Sequence, residues 1–280
     1  MAGTAGAGTA GAGAAGAWTS GAGAGAAGAG AAGAGTAGAG AAGAWTSVAG
    51  AGAAGTGAGG TGAGAAAGAG DRILSDERVS SRWAYPARVA TIRERPAVDA
   101  AAVARTELLT EVGRPNVYLA LVERRAADGR RWVRIRVPDR PNGRTGWLPR
   151  DALGPLHRVA TQLVVDRRTL RATLRRAGRT VLTVRIGIGA AATPTPAGRY
   201  WIREKLRFAA QPVYGTHALG TSAYAPTLTE WPAGGVVGLH GTDQPELIPG
   251  RPSHGCVRIR NAEMARLWRL TPIGTPVLIR

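Results

Sequence analysis

Ser253-His254-Gly255-Cys256-Val257-Arg258 is the stretch on which the reading of this 280-residue chain turns. It holds the only cysteine, placed after a glycine that lets the backbone approach a ligand closely. Sixteen residues upstream, His240-Gly241-Thr242 supplies an imidazole. A lone cysteine is by default a small buried hydrophobe. Here its neighbours are Ser, His, Gly and Arg, polar and cationic groups that lower a thiol pKa where an apolar pocket raises it. The pattern points to cysteine acyl-transfer chemistry, with Cys256 as nucleophile and His240, at the end of the apolar run Val236-Val237-Gly238-Leu239, as base. His254, two residues from the thiol, is the second candidate for the base, or lines the site. Backbone amides around Gly255 and Cys256 offer an oxyanion hole. Ser253 braces the turn or touches substrate. Arg258 attracts a substrate carboxylate, holds the thiolate, or makes a structural salt bridge.

Working outward, Thr193-Pro194-Thr195-Pro196-Ala197-Gly198-Arg199-Tyr200 is a proline-rich turn leading into an aromatic strand, and Gly274-Thr275-Pro276-Val277-Leu278-Ile279 reads as a closing strand. In this order the three motifs resemble the L,D-transpeptidase catalytic domain, also called the YkuD domain, over about residues 160 to 280. The resemblance implies a mainly β fold, a mixed β-sandwich or barrel with a short C-terminal helix. It implies Cys256 as nucleophile and His240 as proton donor and acceptor, its ring oriented by the backbone carbonyl that follows it. Ser253, His254, Gly255, Arg258 and Gly241 then fall in substrate or oxyanion contacts. Arg258 stands where many members of the family carry Asn. The implied partners are peptidoglycan stem peptides: Cys256 attacks the carbonyl that joins the L-centre of a diamino acid to a terminal D-alanine, and an acceptor amine resolves the thioester into a cross-link. Two alternatives stand beside this, an L,D-carboxypeptidase with water as acceptor and a non-catalytic wall-binding protein with a degenerate site.

No metal or cofactor is expected. The chain's four histidines and one cysteine are scattered, and no Cys-x-x-Cys pair exists. Gly11-Ala12-Gly13-Ala14-Ala15-Gly16 matches a dinucleotide-binding pattern, but no strand precedes it and no acid follows at the required distance. Residues 1–70 are an Ala/Gly low-complexity tail without a charge, expected to be disordered, because side chains so small bury too little apolar area to offset backbone ordering. Residues 5–20 recur identically at 32–47, the mark of a duplicated repetitive segment. No secretory signal is visible at the N-terminus, although the family resemblance implies an extracytoplasmic location in wall or periplasm. Of the 35 basic residues only Lys205 is a lysine, and the net charge is +18. Such a surface suits a polyanion, and with no zinc-finger spacing or RNA-binding aromatic signature the expected polyanion is a cell wall, not nucleic acid.

Residues 71–82 read as a linker or frayed helix. Over 83–155, short alternating runs at 87–90, 117–122, 131–137 and 146–148, with turns at Asp128-Gly129 and Pro141-Asn142-Gly143, predict a small antiparallel barrel. Trp132-Val133-Arg134-Ile135 with Arg140-Pro141-Asn142-Gly143-Arg144-Thr145-Gly146-Trp147-Leu148 resembles bacterial SH3-like wall domains, which implies wall binding. Trp132 and Trp147 either complete a core or form a stacking groove. Beyond His157, strands are expected at 162–166, 170–174, 181–188, 200–202, 236–240 and 256–259. One helix is expected with Asn261 as N-cap and Met264, Leu267 and Trp268 on its inner face.

Overall fold

The computed structural model describes residues 70–209, 212–229 and 232–280. The tail expected at 1–70 lies outside the described residues, save Gly70. No helix among the described residues is long and apolar enough to cross a membrane.

An eight-stranded antiparallel sheet comes first: β1 (Arg72–Ile73), β2 (Ser81–Ala84), β3 (Thr91–Arg93), β4 (Ala102–Arg105), β5 (Tyr118–Arg125), β6 (Arg131–Arg136), β7 (Thr145–Pro149) and β8 (His157–Val159). Its order is β4-β3-β7-β6-β5-β2-β8, with β1 added on β5. In β6, Val133 and Ile135 face the sheet's core, while on the opposite face Trp132 is buried and Arg134 and Arg136 keep access to solvent. A ten-stranded mixed sheet follows: β9 (Thr161–Asp166), β10 (Arg171–Arg176), β11 (Arg179–Arg185), β12 (Gly187–Gly189), β13 (Gly198–Arg207), β14 (His217–Tyr224), β15 (Val236–His240), β16 (Gly250–Ser253), β17 (Val257–Arg258) and β18 (Pro276–Ile279). The order is β11-β10-β9-β18-β13-β14-β15-β17-β12-β16. Helix α1 (Asn261–Leu270) buries Met264 and Leu267 against this sheet's core, with Trp268 packed at its margin.

Several expectations are corrected. Residues 71–82 are neither linker nor frayed helix: they contribute β1 and the start of β2, with Leu74, Ser75 and Glu77 buried. Asp76 folds the segment back by accepting from the amides of Arg78, Val79 and Ser80. The run at 87–90 is irregular, and the strand begins at Thr91. Trp132 and Trp147 are buried, at 0% and 7% exposure, so they complete the sheet's packing and form no groove. The strand expected over 181–188 breaks at Ile186, whose amide turns to Leu170 O, and Gly187 restarts on other partners. Asn261 is not the N-cap but the first helical residue, Arg260 preceding it in extended conformation.

The two sheets are joined by polar groups that have no water to turn to. Trp201 of β13 is 1% exposed and sits with Val117 and Leu119 of the first sheet's side. Its indole N–H donates to Val117 O at 2.8 Å. Two residues on, Arg203 is 2% exposed, pairs with Glu111 at 2.6 Å, and also reaches Thr221 O and Asn116 Oδ1. Gln162 donates to Glu77 O at 2.8 Å, and Glu77 takes both Arg136 and Arg199. Removing one partner of a buried pair strands the other charge, which costs about 3–5 kcal/mol, whereas an exposed pair is worth less than about 1 kcal/mol. Denaturant unfolding is expected to show a loss of that larger size for Glu111→Ala and little change for Arg88→Ala, whose exposed partner is Asp151; equal losses would contradict this account of the junction.

Candidate active site

Strand β15 runs parallel to β17, with Leu239 opposite Val257 and His240 opposite Arg258. Paired residues in a parallel ladder face the same side, and side chains two apart share a face. His240 and Arg258 therefore face one side, and Cys256, two residues ahead of Arg258, enters from the same side. Gly238 lies two residues before His240 and has no side chain to occupy that space. Its backbone N–H donates to Cys256 Sγ at 3.5 Å.

The turn carrying Cys256 is held from three directions. Ser253 is buried, and its hydroxyl donates to Cys256 O while accepting from the Gly255 amide at 3.2 Å. Ser253 O accepts from Ala190 N at 2.8 Å and from Thr193 Oγ1 at 3.3 Å. Thr195, 1% exposed, donates its hydroxyl to Gly255 O at 2.7 Å and accepts from Gly189 N at 2.9 Å. The Thr193-Pro194-Thr195 turn is thus a clamp on the cysteine turn. Gly189 must be glycine because a side chain there would collide with Thr193 O and close to 2.7 Å on Thr195 N. Gly255 adopts φ +122°, which a side chain would strain. The Gly255 amide, expected in an oxyanion hole, is engaged by Ser253 Oγ.

His240 is 3% exposed. Its Nδ1 lies 2.6 Å from Gly241 O. A carbonyl only accepts, so Nδ1 carries the hydrogen and Nε2 keeps its lone pair in the neutral ring. Burial drives the imidazole pKa down to about 4, and Arg258 adds to that; the bond to Gly241 O opposes it. Burial also raises the Cys256 thiol, against the lowering effects of the Gly238 amide and Arg258. At neutral pH the pair therefore rests as thiol and imidazole, not as an ion pair. Arg258 donates from Nη1 to Gln244 Oε1 at 2.8 Å, while its Nε is buried without a partner. No salt bridge to Arg258 is present among the described residues. His254 lies exposed on the turn.

Two residues whose place at the site the sequence did not reveal belong here. Tyr214 meets the His240 ring edge-on at 4.9 Å, and its phenol pKa is raised by burial and then by the charge of Cys256. Nothing in the pattern around 208–216 distinguishes it. Asn261 Oδ1 accepts from Thr242 N at 2.9 Å and fills the gap beside Gly215 and Gly241, where a side chain on either would collide with it. It thereby fixes the His240-Gly241-Thr242 turn, and its place at the start of a helix disguised this as a cap.

The sequence comparisons agree on the region. Residues 160–279 match the family model of YkuD, the L,D-transpeptidase catalytic domain. The chain is 31% identical over 107 residues to YkuD of Bacillus subtilis, covering 38% of this chain and 58% of that protein. It is 32% identical over 123 residues to YkuD of Bacillus licheniformis, covering 44% and 65%. Both are named as L,D-transpeptidases, and the chain spans less than two thirds of either. Among solved structures, the catalytic domain of an Enterococcus faecium L,D-transpeptidase is 28% identical with a TM-score of 0.32, covering 43% of this chain and 96% of that one. An L,D-transpeptidase from Mycobacterium smegmatis is 16% identical with a TM-score of 0.36, covering 54% and 90%.

Two predictions follow from the geometry. A histidine kept neutral to about pH 4, against 6.5 when unfolded, takes up its proton more readily in the unfolded chain. Its contribution is complete above pH 6.5 and is lost as pH falls from 6.5 to 4, about 3 kcal/mol in all. Unfolding of wild type and His240→Gln between pH 7 and pH 4 is expected to converge by that amount; parallel curves would contradict it. Thr195→Val removes the hydroxyl shared by Gly189 and Gly255, and calorimetry is expected to read a loss of about 1–3 kcal/mol. The family model and the Bacillus relatives thus agree in likening residues 160–279 to the L,D-transpeptidase catalytic domain.

Proposed function

We propose that this protein is a peptidoglycan L,D-transpeptidase that works through a Cys256 thioester. The observation that carries the reading is the parallel pairing that sets His240 beside the Cys256 turn, with Nδ1 committed to Gly241 O and Nε2 left as base. His240 Nε2 removes the thiol proton as Sγ attacks the carbonyl between the L-centre of the diamino acid and D-alanine. The developing oxyanion takes the Cys256 amide. Collapse expels D-alanine, whose amine receives the proton held by His240, and leaves the thioester. An acceptor side-chain amine gives its proton to His240, attacks the thioester, and releases the cross-linked dimer with the thiol restored.

Starting from a neutral thiol and a neutral imidazole, the proton moves only as the substrate closes the site, which is general-base catalysis. Arg258 serves twice. Its charge favours thiolate in the transition state, and its unpartnered Nε offers an edge for the carboxylate of the donor stem. Attack of this kind requires the stem peptides to reach the protein outside the cytoplasm, in wall or periplasm, and the positive surface suits that carboxylate- and phosphate-rich setting.

Incubation with a carbapenem and with tetrapeptide muropeptides, read by mass spectrometry, tests the reading. Wild type is expected to gain one covalent adduct that Cys256→Ala lacks, and to produce dimers with release of D-alanine. Hydrolysed monomers alone would replace it by an L,D-carboxypeptidase, and no adduct on wild type would make this a non-catalytic wall protein.

A further inference from the structure

We propose that Arg140 and Asn142, two residues of the first sheet's β6–β7 loop, are positioning residues for the Cys256 turn; this rests on the reading of Cys256 as nucleophile. The side chains of Arg140 and Asn142 reach the second sheet, while Asp139 and Arg144 of the same loop pair with each other. Asn142 pairs with the main chain of Tyr224 in both directions, Nδ2 donating to Tyr224 O at 2.8 Å and Oδ1 accepting from Tyr224 N at 3.0 Å. That is the bonding a neighbouring strand would supply, so one side chain extends the end of β14 where its pairing with β15 is irregular. Arg140 lies over the Tyr224 ring at 4.7 Å, and its Nη2 donates to Ala225 O at 3.1 Å and Leu228 O at 3.5 Å. A side chain at Gly235 would come within 2.9 Å of the same Nη2, and Gly235 O receives the Ala225 amide at 2.8 Å.

The segment so held backs the reacting centre. Ala225 is 4% exposed, and a side chain at Gly255 would lie 3.7 Å from its Cβ. Gly255 precedes Cys256 and already carries the unusual φ of +122°. The clamp from Ser253, Thr193 and Thr195 holds the turn; Ala225 packs beside Gly255 next to Thr193 O and Pro194 O, and Ala225 is fixed by a residue more than eighty positions earlier in the chain. Loosening Ala225 gives the Gly255–Cys256 turn room to shift relative to His240. A displacement of about 1 Å at reacting atoms costs about a hundredfold in rate. Reached through one intervening residue, the effect is expected at about tenfold.

The test compares full-length wild type, Arg140→Ala, Asn142→Ala and Arg124→Ala. Arg124 is the control: it pairs with Asp71 and lies over Trp147, within the first sheet. Two readouts are used. One is the rate of Cys256 alkylation by iodoacetamide from pH 6 to pH 10, which needs only the thiol. The other is carbapenem acylation, resolved into binding and maximal rate. Arg140→Ala and Asn142→Ala are expected to shift the midpoint of the alkylation profile and to lower the maximal acylation rate about tenfold with little change in binding, while Arg124→Ala matches wild type. Should Asn142→Ala fail to fold, the isosteric Asn142→Asp turns the donor to Tyr224 O into a second acceptor and is expected to give the same shift. Profiles and rates that match Arg124→Ala in every variant overturn the positioning role. If wild type takes no carbapenem, the transpeptidase reading fails, and the alkylation profile still decides this one.

Discussion

The parallel pairing of β15 with β17 is the constraint from which the rest of the site follows. Parallel neighbours need a crossover, and here it is the 240–257 connection, which must leave the sheet at His240 and re-enter at Val257. The register puts His240 opposite Arg258, so the imidazole, the guanidinium and the thiol are brought to one side of the sheet. Had the register slipped by one residue, His240 and Arg258 would point to opposite faces. Everything else that holds the site, from Thr195 to Asn261, stabilises the two ends of that crossover.

Burial then decides the chemistry. The sheet core reaches up to the site through Leu239 and Val257, both at most 1% exposed. In that setting charge is costly for thiol and imidazole alike, and the backbone answers with neutral-group contacts: a carbonyl for Nδ1 and an amide for Sγ. Arg258 is the cation whose charge acts on both members of the pair. It lowers both pKa values, which makes His240 harder to protonate at rest and Cys256 easier to ionise when the base takes its proton.

Much of this was legible in the sequence because it is written locally. Ser253-His254-Gly255-Cys256 is a short turn whose glycine, cysteine and neighbours can be read together, and the apolar run ending at His240 announces a buried strand with a polar terminus. Thr193 to Thr195 could be seen as a motif, but that its hydroxyls clamp Ser253 and Gly255 depends on contacts sixty residues apart. Tyr214 and Asn261 were illegible for the same reason: their roles are set by what the fold brings against them. The reading of 71–82 failed because its polar residues were taken as solvated, whereas Ser75 and Glu77 satisfy strand edges and arginines from far along the chain. Trp132 and Trp147 show the limit of composition, since an indole reads alike in a core and in a groove.

Trp201 carries a consequence for how the molecule comes apart. Its backbone belongs to one sheet and its ring and N–H to the other, with the Arg203–Glu111 pair two residues away. A chain cut at Ala160 would hand the second sheet a solvent-facing indole and an arginine that has lost its carboxylate. The two sheets are therefore expected to unfold as one cooperative unit, the Cys256 turn being lost in the same transition as strands that never touch it.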